Sequence, residues 1–277
     1  MSHARTKRIT EIALSVGTIS LFGAVLLIEI FFSGFSRLLF SMIETLRNFR
    51  FDVIIRYIPY FFLGMKGEIS GLILTLYLAI VSIGFAFLTG LLFGIMRTSA
   101  RWWVKYPAVA YIEVIRGMPL ILVIFWFVML PSALVDNPRA LPSRIYFAIF
   151  AFICFSGAYM AEIVRAGILS IGKGQMEAAR STGLTHAQAM TYIILPQALK
   201  NMIPSFVNQF VSLIKDTSLV WFVGLAELTT TIFQINNKEL VAPMELYLFG
   251  AVVYFFICYP LTSASRKLEE RLGVGKR

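Results

Sequence analysis

Six ionisable side chains interrupt or edge windows otherwise built from apolar residues: Glu113, Arg116, Glu162, Arg165, Lys215 and Asp216. Glu113 with Arg116, and Glu162 with Arg165, stand three residues apart, the spacing at which opposite charges close on one helix face. Their expected chemistry is structural ion pairing. A different pattern joins Asn208, Ser212, Lys215 and Asp216, which recur at i, i+4, i+7 and i+8 and so form a polar stripe on an apolar helix. Such a stripe offers donors and acceptors to a polar cargo, or packs on the same helix of a partner subunit. Groups for bond-breaking chemistry are sparse. His3 and His186 are far apart in sequence, and the chain has no HExxH zinc pattern, no GxSxG nucleophile elbow and no glycine-rich phosphate loop. Cys154 and Cys258 lie inside apolar windows and read as small buried hydrophobes rather than a disulfide framework or metal cluster. A membrane enzyme is therefore the weakest reading, and no catalytic residue, metal or cofactor is expected on this chain.

The elements that must position these groups follow from the solvent. Hydrophobic residues make up 58% of the 277 and charged ones only 14%, against roughly 25% charged in a soluble domain. Mean hydropathy is +0.78. Apolar windows cover about Ile12–Phe32, Ser70–Met96, Pro107–Leu130, Ile145–Arg165, Met202–Glu227 and Pro243–Ser263, each close to the length that crosses about 30 Å of hydrocarbon. The expected fold is an all-α membrane protein with about six transmembrane helices. A mid-bilayer charge costs roughly 3 kcal/mol on an insertion scale, so the six ionisable groups must face protein, water or the interface.

With the N-terminus inside, the inner segments carry 15 Lys and Arg and the outer ones 8. The positive-inside rule then puts both termini in the cytoplasm and explains the net charge of +10 without nucleic acid. The first window is too long for a signal peptide core and is read as an uncleaved span. Residues 33–69 fall outside, and Phe51–Leu63, which mixes aromatics with Arg56, is expected along the outer interface. Gly90 and Gly94, with Gly84 nearby, mark close helix packing within the subunit.

The long inner connection, about 166–201, reads as two short helices. The first, about Gln175–Thr182, has Glu177 near its N-terminus and stops at Gly183, where a left-handed residue is tolerated. The second opens on Thr185 and Gln188, spaced as a capping box, and runs until Pro196 ends or kinks it. Ala187, Met190, Thr191 and Ile194 fall on one face by helical count, a weakly apolar stripe suited to docking. Three basic residues in and around the pair are too few for a DNA-reading helix-turn-helix.

Glu177-Ala178-Ala179, then Gly183, Ile193 and Leu195-Pro196 at fixed intervals resemble the EAA loop of ABC importer permeases. Glu113 to Pro119, Ser156 to Gly167 and Lys215 to Leu219 resemble the polar amino acid permeases among them, most like the glutamate/aspartate type. The resemblance covers about residues 65–270 and implies a type I core of five spans. Residues 1–64, with the first span, then read as an addition to a transmembrane domain of residues 65–277. It further implies a coupling loop docked on an ATPase subunit that holds the ATP and Mg. The implied partners are two such ATPases, a second permease, identical or homologous, and an amino acid binding protein outside. Ser156 and Thr217, in the resembling segments, join Asn208, Ser212, Lys215 and Asp216 as substrate-path candidates. A passive channel or proton-coupled carrier would also use intramembrane polar groups, but it leaves the EAA loop without a purpose.

Overall fold

The computed structural model describes residues 33–37, 41, 44, 49–63, 69–135, 141–239 and 243–272. The expected first span lies outside the described residues. Two compact units divide the chain, Met1–Phe51 and Asp52–Arg277. In the first, residues 33–37 are helical, and the Ser36 hydroxyl donates to the Ser33 carbonyl at 3.2 Å.

The described part of the second unit is built of helices joined by short connections. Its elements are α1 (Phe51–Leu63), α2 (Gly71–Thr98), α3 (Trp102–Arg116), α4 (Leu120–Leu134), α5 (Arg144–Leu169), α6 (Lys173–Ser181) and α7 (His186–Ala189). A π-helical turn, Met190–Ile194, joins α7 to α8 (Leu195–Asp216). A 3-10 turn, Thr217–Val223, follows, then α9 (Leu228–Glu239) and α10 (Pro243–Leu272).

Among the described residues α2, α5 and α10 are long and apolar enough to cross a bilayer alone. The window expected as one span over Pro107–Leu130 is instead α3 and α4, bent by 100°. The bend has a local cause: Pro119 disfavours helical backbone at Met118, so α3 stops at Gly117 and α4 starts with Pro119 as its N-cap. The window Met202–Glu227 also divides. Its helix begins earlier, at Leu195, passes into the 3-10 turn after Asp216, and ends at Gly224, whose φ of +77° is left-handed. Helix α9 was not anticipated, because its polar half, Gln234 to Glu239, hides the short apolar face of Leu228, Ile232 and Ile235.

Helix α5 is the hub. Apolar side chains do not drive helices together in lipid, so close packing of small residues must do so. On α2 the buried set Ala79, Ser82, Ala86, Gly90 and Gly94 follows helical spacing. A Cβ at Gly90 would sit 2.4 Å from the Met160 Cβ, and one at Gly94 2.7 Å from the Ala161 carbonyl oxygen. At Gly157 a Cβ would meet the Thr89 hydroxyl at 2.3 Å, and at Gly167 the Met202 Cγ at 2.3 Å. Around this hub one apolar cluster joins α2, α4, α5 and the 3-10 turn, with Phe152, Leu78, Ile124 and Val220 fully buried. A second places Val53, Tyr57 and Phe61 of α1 against Leu72, Leu228, Ile232 and Leu246. Ile55 and Leu63, on the other face of α1, are exposed. The Tyr57 hydroxyl also donates to the Glu239 carboxylate.

Gly94→Val is expected to destabilise the protein by about 1–3 kcal/mol through overpacking. Gly84→Ala, where nothing lies within 4 Å of the added Cβ, should leave it unchanged. Unfolding of the two purified variants in detergent, followed by heat or denaturant, provides the comparison.

Candidate functional site

The loop helices adopt the geometry that their end signals require. At the end of α6 the amide of Gly183 donates to the Arg180 carbonyl at 3.0 Å, and that of Leu184 to the Ala179 carbonyl at 3.3 Å. These two bonds form a Schellman motif, with Gly183 at φ +88° as the left-handed residue. Space around Gly183 is open, so it is the backbone angle and not crowding that favours glycine there. Two residues on, the capping box forms: the Gln188 amide donates to the Thr185 hydroxyl at 3.3 Å and the Thr185 amide to the Gln188 side chain at 2.9 Å. The chain therefore turns sharply within three residues.

The pair has an inner and an outer face. Ala179 and Ala189 are buried, and Ile194 joins Val164, Ile168, Ala198 and Met202 in a third apolar cluster. Ile193 and Leu195 are half-buried at its edge. Glu177, Ala178, Gly183, Ala187, Thr191 and Pro196 face outward. The single stripe expected over Ala187, Met190, Thr191 and Ile194 is therefore divided, with Met190 half-buried and Ile194 inside. The π turn is the reason: its wider repeat rotates the residues after Ala189 out of the 3.6-residue phase. Pro196 does not end the helix, because it stands in the first turn of α8, where its missing N–H is no loss.

Side-chain amides that the sequence reading passed over fasten this pair to the spans. Asn201 donates to the Ser170 hydroxyl at 3.2 Å, and Gln197 to the Gln175 side chain at 3.4 Å and the Ile193 carbonyl at 2.8 Å. They line a polar cleft of about 420 Å³ with Gly172 and Gly174. The signal was available: Gln197 and Asn201 stand four apart on the first turns of α8.

Above the pair, the intramembrane charges form a lattice across three helices. Arg97 of α2 reaches Glu113 of α3 at 2.7 Å and Glu162 of α5 at 3.2 Å. Glu162 also accepts from Arg165 at 2.5 and 2.8 Å, as its i,i+3 spacing predicts. The other expected pair is corrected: Glu113 takes Arg97, while the Arg116 guanidinium lies 5.2 Å from the ring centre of Tyr159. Spacing alone could not reveal a competing cation from α2. Arg97 had counted only as a loop charge.

The α8 stripe is present, with Asn208 and Lys215 exposed on this single chain and Ser212 and Asp216 half-buried. Thr217 lies apart from it, fully buried with its hydroxyl donating to the Ile214 carbonyl at 2.7 Å. Ser156 is fully buried within α5. By sequence Glu227 only closes the apolar window Met202–Glu227. It is buried and caps α9, accepting from the amides of Thr229 and Thr230 at 2.8 and 2.7 Å and from the Tyr254 hydroxyl at 3.2 Å. Beside it the Gly71 amide donates to the Ala226 carbonyl at 2.8 Å and the Leu228 amide to the Thr75 hydroxyl at 3.1 Å.

Residues 86–274, which contain the helix pair, the lattice and the stripe, match the family model described as the binding-protein-dependent transport system inner membrane component. The chain belongs to that family. It is 38% identical over 205 residues to the probable glutamine ABC transporter permease protein GlnP of Bacillus subtilis, covering 73% of this chain and 92% of that one. With the glutamate/aspartate import permease protein GltK of Escherichia coli O6:H1 it shares 37% over 193 residues, 68% of this chain and 86% of the other. Among solved structures, one described as an amino acid ABC transporter with histidines superposes with a TM-score of 0.69 at 34% identity, covering 80% of this chain and 98% of that one. The MetNI methionine ABC transporter superposes at 0.58 with 20% identity, covering 72% of this chain and 93% of the other, a likeness of fold. The architecture of this inner membrane component is thus the all-helical type I ABC permease fold.

Two lattice variants should separate by burial. Glu162→Ala leaves Arg97 with Glu113 alone and Arg165 without its carboxylate, at a side chain only 21% exposed, and is expected to cost about 1.5–3 kcal/mol. Glu113, at 57% exposed, should cost below about 1 kcal/mol when changed to Ala. Denaturant midpoints in detergent measure both.

Proposed function

We propose that this permease imports a polar amino acid into the bacterial cytoplasm. In this reading it works with a second permease subunit, identical or homologous, two cytoplasmic ATPase subunits and a binding protein outside. The observation that carries the proposal is the helix pair: an exposed Glu177-Ala178 face, set at a fixed angle by the left-handed turn at Gly183 and backed by buried Ala179, Ala189 and Ile194. A passive channel has no use for such a surface. ATP and Mg belong to the partner ATPase, and this chain contributes the docking face and the path.

The orientation that serves this function has both termini and the helix pair inside, as the count of 15 against 8 Lys and Arg favours. Docking at Glu177 and Ala178 displaces α6 and α7, and the links Gln175–Gln197 and Ser170–Asn201 carry the displacement to α5 and α8. The stripe of Asn208, Ser212, Lys215 and Asp216 then meets its counterpart on the second subunit and lines the route. A zwitterion needs both acceptors and donors, and the stripe supplies them. Relatives are named for glutamine and for glutamate/aspartate, which supports a cargo with an amide or acidic side chain. Competition of radiolabelled glutamine uptake by glutamate, aspartate and arginine in reconstituted vesicles distinguishes the two side-chain classes.

Gly183→Val tests the coupling role. A left-handed backbone costs a β-branched residue about 1–2 kcal/mol, which predicts roughly a tenfold fall in uptake per ATP hydrolysed. Insertion and substrate delivery should be normal. An unchanged ratio of uptake to hydrolysis in purified complex would remove the loop from the coupling path.

Lys215→Gln and Asp216→Asn test the path. Each removes a charged hydrogen-bonding group worth about 1.5–3 kcal/mol and is expected to lower uptake about tenfold or more while assembly persists. Wild-type uptake by both variants would exclude the stripe.

A further inference from the structure

The first two turns of α3 are not used by any contact described above. Trp102, Trp103 and Tyr106 are 69%, 58% and 64% exposed, and Arg101 and Lys105 beside them are exposed as well. Only Val104 and Ala108 turn inward over this stretch. Arg101 lies 5.8 Å from the Trp103 ring centre, so the aromatic and basic groups form one surface. From Arg97 to Ile112 there is no acidic residue, and among the described residues no carboxylate pairs with Arg101 or Lys105.

Local helix energetics oppose this arrangement. Arg101 is the N-cap of α3, no side chain caps its amides, and its first turn holds no acidic residue. Two cations therefore sit at the positive end of a helix dipole, where an anion is favoured. Among the described residues no carboxylate offsets them. The Arg97 links to Glu113 and Glu162 place this surface on the same side of the protein as the end of α5, and so on the same side as the helix pair.

We propose that the Arg101–Trp102–Trp103–Lys105–Tyr106 face of α3 is a binding surface for the headgroups of anionic phospholipid. The aromatic rings occupy the headgroup level, the depth that Trp and Tyr favour, and the two cations and uncapped amides meet lipid phosphate. The 100° bend after Gly117 makes this possible: it frees α3 from the axis of the strongly apolar α4, so α3 follows the membrane surface while α4 enters the hydrocarbon. A protein partner is the competing occupant. The absence of acidic residues and the exposed tryptophans favour lipid.

Tryptophan quenching by brominated lipid tests the proposal on the full chain, in complex with whichever partner subunits co-purify. Vesicles of phosphatidylcholine would contain a minor fraction of either brominated phosphatidylglycerol or brominated phosphatidylcholine. The part of the signal lost in the Trp102→Phe/Trp103→Phe variant reports this face. The expected result is stronger quenching by the anionic lipid, with an enrichment of about fivefold for each cation that falls as salt is raised. Arg101→Gln/Lys105→Gln should remove the preference while quenching itself persists. Equal quenching by the two lipids, or a preference that survives the charge variant, overturns the proposal. No quenching by either lipid would overturn it too, because the face would then be covered by protein. None of these outcomes depends on what the protein transports.

Discussion

The approach of α2 to α5 is the constraint on which the rest depends. Hydrophobic side chains gain nothing by leaving lipid for one another, so two long apolar helices stay together only where their backbones come close enough for dense packing. Gly90 and Gly94 allow this against Met160, Ala161 and Val164, and a Cβ at either position would overlap them. Once α5 is fixed along α2, its other faces are assigned. Gly157 admits the Tyr111 hydroxyl, which donates to the Cys154 carbonyl at 2.6 Å and holds α3. Gly167 admits Met202 and holds α8. Removing one of these small residues would therefore displace a neighbour and not merely open a gap.

The same helix gathers the charges. Four ionisable side chains at one end of the bundle would be costly in lipid, and pairing along one helix would leave the remaining helices uncommitted. Arg97 instead bridges Glu113 and Glu162 while Arg165 closes on Glu162, so α2, α3 and α5 are joined at one point. Arg97 suits this role because a guanidinium presents separate donors in a rigid fork. Each partner still contributes according to its burial, and Glu162 is the centre. At the other end of α2 the Glu227 cap has a comparable function without any cation: backbone amides and hydroxyls satisfy the carboxylate and bring α9, α10 and the start of α2 together.

Features governed by neighbours in sequence were legible. The Schellman stop at Gly183, the Thr185–Gln188 box, the Glu162–Arg165 pair and the apolar cores of α2, α5 and α10 are all decided within a few residues. The departures have a shared physical origin, competition from elsewhere in the fold. Glu113 found Arg97 sixteen positions away rather than Arg116 three positions away. The docking stripe was counted at 3.6 residues per turn across a stretch that winds as a π helix. Glu227 looked like a boundary because its role requires Tyr254 from another helix. The bend at Gly117 was different, since Pro119 announced it and the apolar run hid it.

Connection of the helix pair to the membrane follows from where its contacts are rigid. Had α6 and α7 hung from α5 by a flexible chain, a force applied at Glu177 would have dissipated in the loop. The two ends of the loop are instead tied to each other, Ser170 to Asn201 and Gln175 to Gln197, and Ile194 packs in one apolar cluster with Val164 and Ile168 of α5. From Met190 the π turn passes directly into α8, and α8 carries the polar stripe along its length. A tilt of the pair must therefore tilt α8. It cannot tilt α5 as far, because α5 is packed on α2 through glycines and fixed by the Arg97 lattice. The Gly167–Met202 contact lies between the two and sets a flexible methionine against a surface that lacks a side chain. In the proposed transport cycle, movement of the pair would therefore pass first to α8 and its polar face.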